Sequence, residues 1–449
     1  MVSVSGTKNE KDGNETLVFG HKLSSVGPGN VSGNNMVYEP NNIDLAMKVH
    51  YLKLIYFIDN EATQGITLRK IKECVFSLFN YYYESCGRFR RSENGRPYIK
   101  CNDCGARFLE AKTEKTIQEW LQMAEKDVSV QRLLFPDHHV LGPELTYSPP
   151  VFLQITFFNC GGISLGISWA HVLGDAFSVS NFMNSLAQFM NGEQPSHPPC
   201  PKTSPTPFHK PVKAVSSSPL SIKDVGPIGD LWTAPTRCEM DTCSFHVTQT
   251  RLTQLQAKLS ALIQPFEALC AIIWQAIAKV TTGPKPDVVT VVKKDHSCPI
   301  EDEMALRNNQ VVSSIKADFP VEEAHPKDLA TLIRDWAQDE RAQIGEMVDR
   351  DPAGSDFTVY GSKLTFVDLE EACFYGFKIK GISPRLVNCF VDGVGEDGVV
   401  LVLPGPQNGY GEVHNPRCGD EGRIVTLTLS KSYMAELKEE LNKEWDLIA

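Results

Sequence analysis

Between residues 151 and 190 the hydrophobic period of the chain changes once, and that change limits what its 449 residues can fold into. Residues 151–158 alternate apolar and polar, Asn159 to Gly162 supply turn chemistry, and Ile163, Leu165, Ile167 and Trp169 alternate again. This pattern predicts a β-hairpin. After Asp175 the apolar residues Val179, Phe182, Met183, Leu186, Phe189 and Met190 fall at helical spacing. Residues 171–175, His-Val-Leu-Gly-Asp, therefore form a loop from the end of a buried strand to the start of a helix, and the fold is mixed α/β.

The rest of the chain extends that reading. Thr67 is placed to cap a helix carrying Leu68, Ile71, Val75, Leu78, Phe79 and Tyr82 on one stripe. Residues 266–280 read as a long apolar helix, 288–292 as a buried strand, and 431 onward as a final amphipathic helix with Met434, Leu437 and Leu441. Strands are expected at 387–391, 399–403 and 423–429, the first two joined as a hairpin through Gly395-Glu396-Asp397-Gly398. A single core stops growing at about 250 to 300 residues, so two or more domains are expected. Eight of the 28 prolines lie between Pro195 and Pro219, which excludes a helix or central strand there and marks a linker. The division is a flexible tail over 1–16, an N-terminal lobe over 17–194, a proline-rich linker over 195–225 and a C-terminal lobe over 226–449, with a crossover segment near 370–400.

A net charge of -11 without a dense basic stripe argues against nucleic acid as a partner. Thirteen cysteines scattered through a long chain point to a reducing compartment, and the start of the chain lacks the pattern of a signal peptide. No apolar run reaches the roughly 18 residues of a membrane span. The sequons at Asn14 and Asn30 are then expected to stay unmodified, and the protein is expected in the cytoplasm as a monomer.

His171 is the candidate catalytic residue. An imidazole at a strand end between domains is suited to taking a proton from an attacking hydroxyl or amine. Asp175 is suited either to orienting that imidazole or to capping the helix that follows. Cys101 and Cys104 have C-x-x-C spacing without a second ligand pair, so packed thiols are favoured over zinc and no metal is expected. Trp169 and Trp274 lie on apolar patterns and are read as core rather than ligand stackers. Lys293 and Lys294 suit the phosphates of a nucleotide-bearing substrate less well than a solvated strand end.

The run FLQITFFNCGGISLGISWAHVLGDAFSVSNFM is similar over its whole length to the signature of the plant BAHD acyl-CoA-dependent acyltransferases, and QPFEALCAIIWQAIAKV extends the resemblance into the second half. LAMKVHYLKLIYF, GRPYIKCNDCGARF, GPELTYSPPVFLQIT, SWAHVLGDAFS and VYGSKLTFVDLEE look like the eceriferum (glossy) branch of that family, associated with very-long-chain fatty acid elongation for cuticular wax. The resemblance implies a two-lobed, chloramphenicol-acetyltransferase-like fold with a channel between the lobes. It implies His171 as general base on that channel, and Asp175 as structural support of the loop, turned away from substrate. It also implies acyl-CoA as substrate and no bound cofactor.

The chain also departs from the family. The Asp-Phe-Gly-Trp-Gly motif is placed at Lys378-Ile379-Lys380-Gly381-Ile382, which keeps neither the acid nor the tryptophan, and Ala176 follows Asp175 in place of glycine. The strand expected to supply the motif aspartate's basic partner ends Val292-Lys293-Lys294-Asp295. Two functions remain open. One is an accessory protein that binds acyl-CoA or a long acyl chain, or the condensing enzyme of the fatty-acid elongase (3-ketoacyl-CoA synthase), held peripherally at the endoplasmic reticulum through that partner. The other is an acyl-CoA-dependent O- or N-acyltransferase using His171.

Overall fold

The computed structural model describes residues 16–33, 36–136, 144–195, 218–230, 232–233, 238–297, 305–350, 355–406 and 422–448. The tail over 1–15 and most of the expected linker, 196–217, lie outside the described residues, as does the Asn14 sequon.

The predicted hairpin is present in register. Strand Val151–Phe157 pairs antiparallel with Ile163–Ala170, from Val151 opposite Trp169 to Phe157 opposite Ile163. The turn closes through Phe158 N–H donating to the Gly162 carbonyl at 3.0 Å. The hairpin sits inside a six-stranded sheet whose order is Phe19–Val26, Ala106–Lys112, Val151–Phe157, Ile163–Ala170, Tyr51–Ile58 and Leu386–Asp392. Every residue of Ile163–Ala170 is buried, as befits a central strand covered on both faces.

A second sheet of seven strands runs Met240–Val247, Arg423–Ser430, Val399–Pro404, Leu364–Asp368, Val288–Lys294, Gln310–Lys316 and Gln338–Asp339. Its strands serve two cores, because side chains alternate across a strand. Val399, Leu401 and Leu403 pack into the core shared with the first sheet. Val400 and Val402 pack under the helices Gln249–Leu259, Pro265–Val280, Pro326–Asp335 and Lys431–Trp445. Trp169 and Trp274 are both core, their indole N–H groups donating to the carbonyls of Gly174 and Pro286.

The expected hairpin through Gly395–Gly398 is not formed. Leu386–Asp392 pairs with Tyr51–Ile58 in the first sheet, Leu386 opposite Phe57 and Asp392 opposite Tyr51, whereas Val399–Pro404 lies in the second sheet between Leu364–Asp368 and Arg423–Ser430. The turn itself is real: Gly398 has φ +81° and donates to the Gly395 carbonyl at 3.1 Å. It carries the chain from one sheet to the other. Both flanking strands are apolar on nearly every position, so each needs a covered place inside a sheet, and a two-stranded hairpin gives neither. Among the described residues no helix is long and apolar enough to cross a membrane.

Candidate functional site

The strand Ile163–Ala170 delivers His171 into a short 3-10 turn, His171–Leu173, and the helix Ala176–Met190 begins two residues later. Gly174 makes this reversal possible. Its φ is +154°, and a Cβ there would stand 2.7 Å from Ser178 Oγ and 2.9 Å from the Arg307 nitrogen, so a side chain has no room.

The imidazole of His171 has no exposed surface. Its Nε2 is 3.0 Å from the hydroxyl of Tyr360, which donates to Gln310 Oε1 at 3.3 Å. The ring is therefore covered in this structure. Tyr360 and Gln310 belong to the second-sheet half of the molecule, and packing of the two sheets brings them over the strand end and covers it.

His50 completes a triangle with His171 and Tyr360, its ring centroid 4.9 Å from Tyr360 and 6.5 Å from His171, with His171 5.3 Å from Tyr360. His50 Nε2 accepts the backbone N–H groups of Val359 and Tyr360 at 3.1 and 3.2 Å, so its proton sits on Nδ1. Burial pushes His171 down to about 4, and burial followed by the neighbouring His171 pushes His50 down to about 3. Both rings are neutral at pH 7. Burial also raises the Tyr360 hydroxyl well above the usual phenol range.

Asp175 caps the helix as the sequence suggested, its Oδ1 accepting Ser178 N–H at 3.0 Å. Its other oxygen, Oδ2, accepts the backbone N–H of Asn309 at 2.7 Å. No ion pair engages it among the described residues. Burial, opposed by these hydrogen bonds, lifts its carboxyl to about 6. Asp44 acts in parallel: its Oδ1 accepts Asn308 N–H at 2.8 Å and Asn308 Nδ2 at 3.0 Å, while Oδ2 accepts Asn41 N–H at 2.9 Å. Asn308 Nδ2 also reaches the His171 carbonyl at 2.9 Å. Just ahead of the strand bearing Gln310, Asn309 is thus fastened to the helix end of the motif loop by Asp175, and Asn308, itself held by Asp44, to the His171 end.

The other sequence candidates lie elsewhere. Lys293 is paired with Glu267 at 2.7 Å and stacks its ammonium 4.8 Å from the Phe266 ring, and Lys294 is 3.9 Å from Glu371. Cys101 is buried and Cys104 exposed, and the described residues contain no cluster able to hold a metal ion. Lys378-Ile379-Lys380-Gly381-Ile382 is a tight turn closed by mutual backbone bonds between Ile379 and Ile382, with Lys380 at φ +53° and Gly381 at φ +78°. Asn191 grips it through Lys378 O and Lys380 N, both at 2.9 Å. That contact sits at the far end of the motif helix, about 22 Å along a 15-residue helix from its cap.

Sequence reasoning missed Tyr360, His50, Gln310, Asn308 and Asp44. Only His50 left a signal: it directly precedes strand Tyr51–Ile58, and once that strand is set beside Ile163–Ala170 with Tyr51 opposite Ala170, His50 must fall next to His171. The His171 N–H donates to the His50 carbonyl at 3.0 Å.

A family model described as the Transferase family matches residues 41–293. Protein ECERIFERUM 26 of Arabidopsis thaliana is 40% identical over 447 residues, covering 99% of this chain and 100% of that protein. Protein ECERIFERUM 2 of the same plant is 35% identical over 439 residues, covering 94% and 97%. Among solved structures, vinorine synthase matches with a TM-score of 0.70 at 17% identity over 95% of this chain and 97% of that one. TRI101 of F. sporotrichioides, crystallised with coenzyme A and T-2, matches with a TM-score of 0.64 at 15% identity over 92% and 98%. These two likenesses show the fold, and the full-length eceriferum relatives show the kinship: the chain belongs to the Transferase family, the BAHD acyltransferases, as a relative of its eceriferum proteins.

Proposed function

We propose that this protein promotes very-long-chain fatty acid elongation for cuticular wax as an accessory of the elongase condensing enzyme, a 3-ketoacyl-CoA synthase, rather than as a turning-over acyltransferase. The observation that carries this reading is the state of His171, whose Nε2 is held by the Tyr360 hydroxyl on a fully buried ring. A general base must be within hydrogen-bond reach of the proton it removes, and here another hydroxyl already stands at that nitrogen. The ligand of the accessory is acyl-CoA or its long acyl chain, a reading supported by the family and by the coenzyme A held in TRI101. The protein itself is placed in the cytoplasm, reaching the endoplasmic reticulum through the condensing enzyme.

Acyl transfer with His171 as general base and Asp175 holding the loop is the second reading. The retained His-x-x-x-Asp loop and the neutral imidazole favour it. Co-expression with a condensing enzyme separates the two. On the accessory reading, His171→Ala still lengthens the acyl products as wild type does, because binding surface carries the effect. Loss of a general base typically costs about 10²- to 10⁴-fold in rate, so a collapse of lengthening on that scale in a folded variant makes acyl transfer the better account.

A further inference from the structure

We infer that Tyr360 is a built-in stop on acyl transfer, its hydroxyl standing at His171 Nε2 where the hydroxyl of an acceptor or a water molecule would have to stand. An imidazole nitrogen carries one lone pair or one N–H, directed in the ring plane, so a hydroxyl seated at that nitrogen competes with any acceptor or water for it whichever atom gives the proton. The Tyr360 hydroxyl fills it at 3.0 Å.

Three contacts fix the tyrosine there. Its hydroxyl is also bonded to Gln310 Oε1 at 3.3 Å. Its backbone N–H, with that of Val359, is received by His50 Nε2. Its ring packs against both imidazoles, at 4.9 and 5.3 Å between centroids. Tyr360 precedes the second-sheet strand Leu364–Asp368 and Gln310 opens another, whereas His50 precedes and His171 follows a first-sheet strand. The stop is therefore a tie between the two halves, placed at the one imidazole the acyltransferase reading needs. This inference rests on the accessory reading, for which it supplies the physical cause.

Removing the phenol should leave a cavity beside a neutral imidazole. Water at Nε2 then adds to the carbonyl carbon of an acyl-CoA thioester and the carbon–sulfur bond breaks. The proton that water loses passes through Nε2 to the departing thiolate, giving free fatty acid and CoA thiol.

The test is palmitate release from palmitoyl-CoA by purified full-length protein, followed by mass spectrometry. Wild type is expected at the background of a protein-free control. Tyr360→Ala, with the circular dichroism of wild type, is expected to release palmitate at least about 10-fold faster, well below the full value of a general base. His171→Ala/Tyr360→Ala should return to background. Should Tyr360→Ala fail to fold, Tyr360→Phe keeps the packing, and its His171 should then be carbethoxylated by diethyl pyrocarbonate several-fold faster than in wild type, as mapped on the His171 peptide. A folded Tyr360→Ala at background, a double variant that keeps the gain, or an unchanged modification rate in Tyr360→Phe overturns the inference. Those results leave the accessory reading standing, because the chain-length profile of His171→Ala judges it separately.

Discussion

His171 and His50 are neutral in the folded chain at a pH where free imidazole is half charged, and the sign of the consequence follows from their direction. Both are held below their ordinary value, so the folded state binds fewer protons than the unfolded one, and the stability they support is intact above about pH 6.5 and lost as the pH falls toward 4 for His171 and toward 3 for His50. Asp175 runs the other way: raised to about 6, it favours the folded state below the ordinary carboxylate range and loses that contribution as the pH rises through 6. The wild-type profile mixes the two. Subtracting a His171→Gln profile isolates the imidazole. The gap between wild type and variant in urea unfolding is expected to be flat above pH 6.5 and to move against wild type by about 1.4 kcal/mol per pH unit from 6.5 toward 4. A gap that stays constant down to pH 4 would mean the ring is not held neutral. His171 and Asp175 were legible in the sequence because they sit on one local motif. Tyr360 was not, since it meets His171 across 189 positions and through two sheets whose packing no local pattern records.

At the scale of elements, the motif loop is held at its helix end by the Asp175 carboxylate, which does two things, and at its strand end by the Asn308 amide, which Asp44 fixes in turn. Asp175→Ala removes the helix cap, worth about 0.5 to 2 kcal/mol, and strands the Asn309 N–H, worth about 1 to 3 kcal/mol. A loss of roughly 2 to 4 kcal/mol is therefore expected in chemical unfolding. A loss within cap range alone would show that the Asn309 contact contributes little. Gly174→Ala should be of similar severity, because the new Cβ meets, besides Ser178, the backbone nitrogen of Arg307, which cannot turn away. The hairpin, the helix capped by Thr67 and the final helix were all readable, since each has its own period and its own turn or cap. The Gly395–Gly398 turn misled because turn chemistry specifies a bend and not which strand lies beyond it. The apolar runs on either side carry no alternation that would tie them to each other.

Across the whole molecule, the strand Leu386–Asp392 belongs by sequence to the C-terminal half and by hydrogen bonding to the first sheet, where Arg132 and Lys53 also reach its Asp392. A fragment ending at residue 194 is therefore expected to aggregate on size-exclusion chromatography, and a soluble, monomeric fragment would show that the sixth strand is dispensable. The same feature sets a schedule for synthesis. Tyr51–Ile58 and its hairpin neighbours leave the ribosome roughly 220 residues before Asp392 does, a delay of about 10 to 45 s at ordinary translation rates. Throughout that interval an edge that is apolar but for Lys53 is open to any other strand. Nascent copies of this protein should accordingly be clients of ribosome-associated chaperones until the last quarter of the chain arrives.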